Sequence, residues 1–130
     1  MKKIVGLILL VFLSFGVRAS HIMGGEITWE CIKDPLNPDV GKYIFTMKLY
    51  RDCDGISLPT TNQTLNVWNH PTVSTISLQF ISNTDISPDC DVTNSGNPAL
   101  DCSTNPVGAV EEYIYQSLPI ALVGAPPISN

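Results

Sequence analysis

Apolar and polar positions alternate along several stretches of this chain, and the clearest spans residues 42–55, KYIFTMKLYRDCDG. Tyr43, Phe45, Met47, Leu49 and Arg51 share one parity, while Ile44, Thr46, Lys48 and Tyr50 share the other. A period of two marks a β-strand with one face more apolar than the other. Asp54-Gly55 ends the pattern with turn residues. Upstream, Ile27 and Trp29 alternate with Glu26, Thr28 and Glu30, which predicts a strand with one buried face. Gly24-Gly25 at its entrance predicts a bend, a bulge or a close backbone approach. The short connection between these two runs predicts antiparallel pairing.

Three further strands follow from the same pattern. Leu65 and Val67 mark a short one, ended by Asn69-His70-Pro71. Ile76, Leu78 and Phe80 oppose Ser77, Gln79 and Ile81 in residues 75–83. In residues 110–118, Glu111, Tyr113 and Tyr115 oppose Glu112, Ile114 and Gln116. The linking segments are loops. Residues 34–41 hold two prolines and end in glycine, and residues 85–108 turn to Asp, Asn, Ser, Thr, Pro and Gly with no apolar period. No stretch keeps a 3.6-residue period over three turns. Strand-like runs parted by turn residues predict an all-β, immunoglobulin-like antiparallel sandwich tied by disulfides. Five strands fall short of the roughly seven such a fold uses, so an incomplete domain is expected.

The N-terminus reads differently. Met1-Lys2-Lys3 is a basic head, residues 4–17 are apolar but for Gly6, Ser14 and Gly16, and Val17-Arg18-Ala19 offers a cut before Ser20. That is the layout of a secretory signal peptide, and the apolar run is shorter than the roughly twenty residues a membrane span needs. The expected organisation is a signal peptide over 1–19, a β-sandwich module over 20–118 and a proline-rich segment over 119–130. Removing Lys2, Lys3 and Arg18 leaves four basic residues against twelve acidic ones, a net charge of −8 on the exported part. Nucleic acid is excluded as a partner, because phosphate binding demands clustered Lys and Arg. Anionic lipid would repel such a chain, and no membrane span is expected after cleavage.

Cys31, Cys53, Cys90 and Cys102 all follow the expected cleavage site. An even number of thiols outside the cytosol predicts disulfides, with three possible pairings. Cys31 and Cys53 end consecutive strands, and Cys90 and Cys102 bracket one loop, so neighbourhood in the chain favours Cys31–Cys53 and Cys90–Cys102. Zinc is the competing reading, and the absence of any CxxC argues against it.

Few residues suggest chemistry. Asp52, Asp54 and Gly55 resemble part of a calcium loop, in which alternate carboxylates converge on the ion. The third carboxylate and the closing Glu are missing, and a solvated turn is the default. Trp29, Trp68, Tyr43, Tyr50, Tyr113 and Tyr115 are candidates for stacking on a sugar, Trp68, Tyr113 and Tyr115 foremost, against the commoner role of strand aromatics as core. His21 and His70 have no nucleophile motif beside them, and no pair of glutamates sits at a glycosidase spacing, so no catalytic residues are expected.

Two segments in order, SHIMGGEITWEC at 20–31 and KLYRDCDG at 48–55, resemble the N-terminal module of large secreted proteins of gliding bacteria. Those proteins continue into PKD or immunoglobulin-like repeats and often end in a sorting domain of the type IX secretion system. Trp29 stands where the family has Tyr or Phe. The resemblance implies a front piece of a longer, gliding-motility-associated cell-surface protein. The implied role is non-catalytic, in structure or adhesion, with other cell-surface or extracellular proteins as partners. Binding of surface polysaccharide is the alternative.

Overall fold

The computed structural model describes residues 22–88 and 99–123. The expected signal peptide, Cys90 and the end of the proline-rich segment lie outside the described residues. Alternation becomes five strands: β1 (Ile22–Cys31), β2 (Tyr43–Asp52), β3 (Gln63–Asn66), β4 (Thr75–Asp85) and β5 (Val110–Ser117). No helix occurs among the described residues. All pairings are antiparallel, and the strands form one sheet in the order β1-β2-β5-β4-β3. Strands β5, β4 and β3 are adjacent in reverse chain order, and β2 lies on the far side of β5, which is the order of a Greek key.

Register decides which side chains share a face. Trp29, Ile27 and Gly25 of β1 stand opposite Phe45, Met47 and Leu49 of β2. Met47, Leu49 and Arg51 stand opposite Tyr115, Tyr113 and Glu111 of β5, and Phe80 of β4 stands opposite Tyr115. Directly opposed residues project to the same side, so these groups line one continuous face. Its centre is the core: Ile76, Leu78, Tyr113 and Tyr115 are buried, with Leu58, Leu65, Val67, Val73 and Ile120 packed on them. Residues 53–62 connect β2 to β3 across this face, and the Tyr115 hydroxyl donates to the Pro59 carbonyl at 2.7 Å. Apolar burial of this kind contributes roughly 25 cal/mol per Å².

The strand alternation in residues 75–83 breaks once. Phe80 pairs with Tyr115, but Ser82 pairs with Ile114, so Ile81 is an extra residue in a bulge. Beyond it the parity reverses, and Asn83 rather than Ser82 reaches the tyrosine face. A second shift lies between Ile22 and Gly24, where the glycine pair predicted a bulge or close approach. Gly25 makes the close approach. A Cβ there would stand 2.8 Å from the Lys48 carbonyl oxygen and 2.7 Å from a Leu49 methyl, whereas at Gly24 nothing lies within 4 Å. Gly25→Ala is therefore expected to pry β1 from β2 and cost about 1–3 kcal/mol, an overpacking penalty. Gly24→Ala should leave the thermal midpoint nearly unchanged, which makes it the control.

Two expectations are corrected. Strand β1 does not bury its apolar face: Ile27 is 50% exposed and Trp29 66%. The reason is that residues 53–62 cover only the half of the face formed by β5 and β4, where Leu58 packs on the core and the Pro59 carbonyl meets Tyr115. The cysteine pairing also differs. Cys53 bonds Cys102, with Cα atoms 5.1 Å apart, so neither Cys31–Cys53 nor Cys90–Cys102 forms. Cys31 has no disulfide partner among the described residues.

Candidate functional site

Two places in the fold concentrate side chains of the motif-bearing segments. The first is the pole where β2 ends. Arg51 is 7% exposed. Its Nε and Nη2 both donate to Glu111 Oε2, at 2.8 and 2.7 Å, and Nη1 donates to the carbonyls of Asp52, Cys53 and Gly55. Its guanidinium carbon lies 5.8 Å from the centre of the Tyr113 ring, within cation–π range. Asn83, brought round by the Ile81 bulge, donates to the other oxygen of Glu111 at 2.8 Å. One charge thus satisfies the turn after β2, and the Cys53 N–H donates to Ala109 at 3.0 Å beside it. The YRDCDG segment is a structural knot.

Asp52 and Asp54, the candidate calcium ligands, sit in this turn. Asp52 Oδ1 accepts the Asp54 N–H at 3.0 Å, which makes an Asx turn. Asp101 accepts from the Ser103 and Thr104 amides and the Thr104 hydroxyl. Among the described residues no three His, Cys, Asp or Glu side chains converge as a metal would require.

Asp85 ties the loop before β5 to the same pole. Its Oδ2 accepts the Cys102 N–H at 2.7 Å, and its Oδ1 accepts the Ser87 N–H and hydroxyl at 2.9 and 2.5 Å. Those bonds to the charged form, the Cys102 amide foremost, hold the Asp85 carboxyl below its ordinary range. The amides of Ser103 and Thr104, then the Thr104 hydroxyl, do the same for Asp101. A carboxylate with a depressed folded-state pKa adds stability above its unfolded value near 4 and loses it as pH falls through the lower folded-state value. The denaturant midpoint should therefore drop below about pH 4. Asp85→Asn should flatten that drop, and an unchanged acid profile would contradict the linkage.

The second place is the uncovered half of the apolar face. A groove of about 410 Å³ is lined by Trp29, Tyr43, Phe45 and Leu122. A neighbouring one of about 350 Å³ is lined by Gly25, Glu26, Ile27, Met47 and Leu49. Tyr43 exchanges both backbone hydrogen bonds with Ile120, at 2.9 Å each, which carries the chain past β5 to this groove and seats Leu122 at its end. The reverse face of the same strands is polar. There Lys48 lies 3.2 Å from Glu112 and 4.0 Å from Glu26, and its bond to Glu112 holds it above its ordinary pKa.

Of the aromatic residues suggested for sugar stacking, Trp29 and Tyr43 line one groove, and Trp68, Tyr113 and Tyr115 do not join them. Tyr113 and Tyr115 are 2% and 0% exposed in the core, and Trp68 is 86% exposed beyond the end of β3. The burial of the tyrosines follows from their parity with Glu111 on the central strand β5. The aromatic lining of the groove is the exposed Trp29 with the half-buried Tyr43 and Phe45, whose parity was legible but whose degree of exposure depends on how far the covering loop reaches. His70 is structural, its Nδ1 accepting the Thr72 and Val73 amides.

No protein-family model, no curated protein and no solved structure matches the chain.

Proposed function

We propose that this chain is a non-catalytic extracellular module of a secreted cell-surface protein, with a role in structure or adhesion. The observation that supports this best is the open apolar face of β1 and β2 on a sheet closed by the Cys53–Cys102 disulfide. Contiguous exposed apolar surface on a folded domain marks an interaction site, and a disulfide is compatible with an oxidising compartment. Among the described residues no helix is long and apolar enough to cross a membrane. The Greek-key order supports an immunoglobulin-like sandwich as the finer architecture, with the open half of the face as the place for its second layer. The resemblance of residues 20–31 and 48–55 to the front modules of gliding-motility-associated proteins adds the cell surface as location. Other cell-surface or extracellular proteins are the partners on this reading.

Cell fractionation with N-terminal sequencing tests it. The expected product is a released or surface-held protein beginning at Ser20, with Cys53 oxidised. An uncut, reduced chain retained in the cytoplasm would overturn the reading. Polysaccharide binding is the second reading, and the aromatic lining of the Trp29–Tyr43–Phe45 groove favours it there. Glycan-array binding lost in Trp29→Ala would select it over the first.

A further inference from the structure

We propose that the outer edge of β1 binds an extended peptide strand of alternating apolar and basic residues, which adds to the sheet and extends the β1–β2 face. The inference rests on reading that face as an interaction surface, but not on where the chain resides.

Strand β1 lies at one edge of the sheet and pairs only with β2 among the described residues. The Ile32 N–H donates to Lys42, and Tyr43 turns its own backbone groups to Ile120, away from β1. Hydrogen-bonding direction alternates along a strand. The backbone groups of Glu26, Thr28 and Glu30 therefore face β2, and those of Gly25, Ile27, Trp29 and Cys31 face outward. Edge strands are commonly protected by lysine, proline, short length or a bulge. Strand β1 has ten residues with neither lysine nor proline, and its bulge lies at its start, next to Ile22. The other edge, β3, has only four residues.

Side chains then specify the partner. Ile27 and Trp29 continue the apolar face of Phe45 and Met47, so an added strand would extend that face with apolar residues of its own. Glu26 and Glu30 lie on the opposite side. Glu30 has no cationic partner among the described residues, and the Lys48 ammonium near Glu26 is closer to Glu112. Charges opposed across a strand pair stabilise when opposite and destabilise when alike. A partner strand with Lys or Arg facing Glu26 and Glu30 is the complement.

The same rule disfavours a second copy. In antiparallel pairing of two β1 strands centred on Ile27, Thr28 or Trp29, a glutamate of one copy meets a glutamate of the other directly or on the diagonal. The chain's own residues 124–130, GAPPISN, hold two consecutive prolines, which lack an N–H, and no basic residue.

The test uses the purified, disulfide-bonded chain and labelled ten-residue peptides of alternating Val and Lys, alternating Val and Glu, and the Val/Lys composition in blocks. Fluorescence anisotropy should show saturable binding of the alternating Val/Lys peptide. The Val/Glu and block peptides should bind at least about tenfold more weakly, since charge and register both oppose them. Ile27→Pro removes an outward N–H without touching the ladder to β2 and should abolish binding. Glu30→Lys, at an exposed position, should shift preference toward Val/Glu, and circular dichroism verifies that both variants stay folded. Equal binding of the three peptides, or binding unchanged in both variants, would overturn the proposal. So would a dimer in sedimentation that Ile27→Pro dissociates, which would assign the edge to a second copy. Cytoplasmic retention of the chain would leave this result untouched, so the two readings fail separately.

Discussion

Replacing Arg51 by methionine should destabilise the fold by about 3–5 kcal/mol, the cost of stripping one partner from a largely buried ion pair. The side chains of Arg51 and Glu111 are only 9% and 13% exposed. Methionine matches the volume and supplies no donor. Glu111 would then be left charged with only the Asn83 amide for company, and the Asp52, Cys53 and Gly55 carbonyls would each lose a bond. Small domains have about 5–15 kcal/mol in total, so the loss would take a large share of it. Urea unfolding of the variant measures it. The double replacement Arg51→Met with Glu111→Met should recover part of the loss, because the stranded carboxylate goes with its partner. A single variant within about 1 kcal/mol of the parent would mean the pair is held in solvent and worth little.

Alternation located all five strands, because a half-buried strand writes its parity directly into the chain. It also separated Tyr113 and Tyr115 from Ile114 and Gln116, and the Gly24-Gly25 pair announced the bulge and the tight contact with Lys48. Parity does not say which part of a face is covered. Ile76 and Ile27 look alike in sequence, yet one is 3% exposed and the other 50%. The difference arises from a non-local fact, that residues 53–62 cross the sheet over β5 and stop short of β1. The parity reversal at Ile81 was equally hidden, since an extra residue shows only against the register of its neighbour.

The candidate site was legible in its residues and not in its assembly. Trp29 and Phe45 had the right parity for a shared surface. Trp29 and Tyr43 stand among the aromatic candidates for stacking, but parity alone does not separate them from Trp68 and the core tyrosines, because that separation needs the strand order. Arg51 read as one more member of an alternating run. Its role required knowing that β2 lies beside β5, which places it opposite Glu111. The same adjacency decides the cysteines. Neighbourhood in the chain pointed to Cys31 for Cys53, whereas the β2–β5 pairing brings the loop carrying Cys102 to the end of β2.

Removal of that disulfide by Cys53→Ser should cost about 4 kcal/mol, from the closure entropy of a loop as long as the one it seals. The bonded cysteines are 49 residues apart in sequence, and β3 and β4 lie between them. Reduction of the parent should lower the urea midpoint to that of the variant, with the sheet's circular-dichroism signature retained where the fold survives. The loss should also be coupled to the acid effect. The Cys102 N–H donates to Asp85 and the Cys53 N–H to Ala109, so the covalent bond and the hydrogen bonds hold the same three chain segments together. Freed of the crosslink, the loop can leave Asp85, and Asp85→Asn should then cost less in the Cys53→Ser background than in the parent. Digestion at aspartates followed by mass spectrometry verifies the starting state, a peptide ending in Cys53 joined to one containing Cys102. Full additivity of the two substitutions would show that the Asp85 bonds hold the loop without help from sulfur.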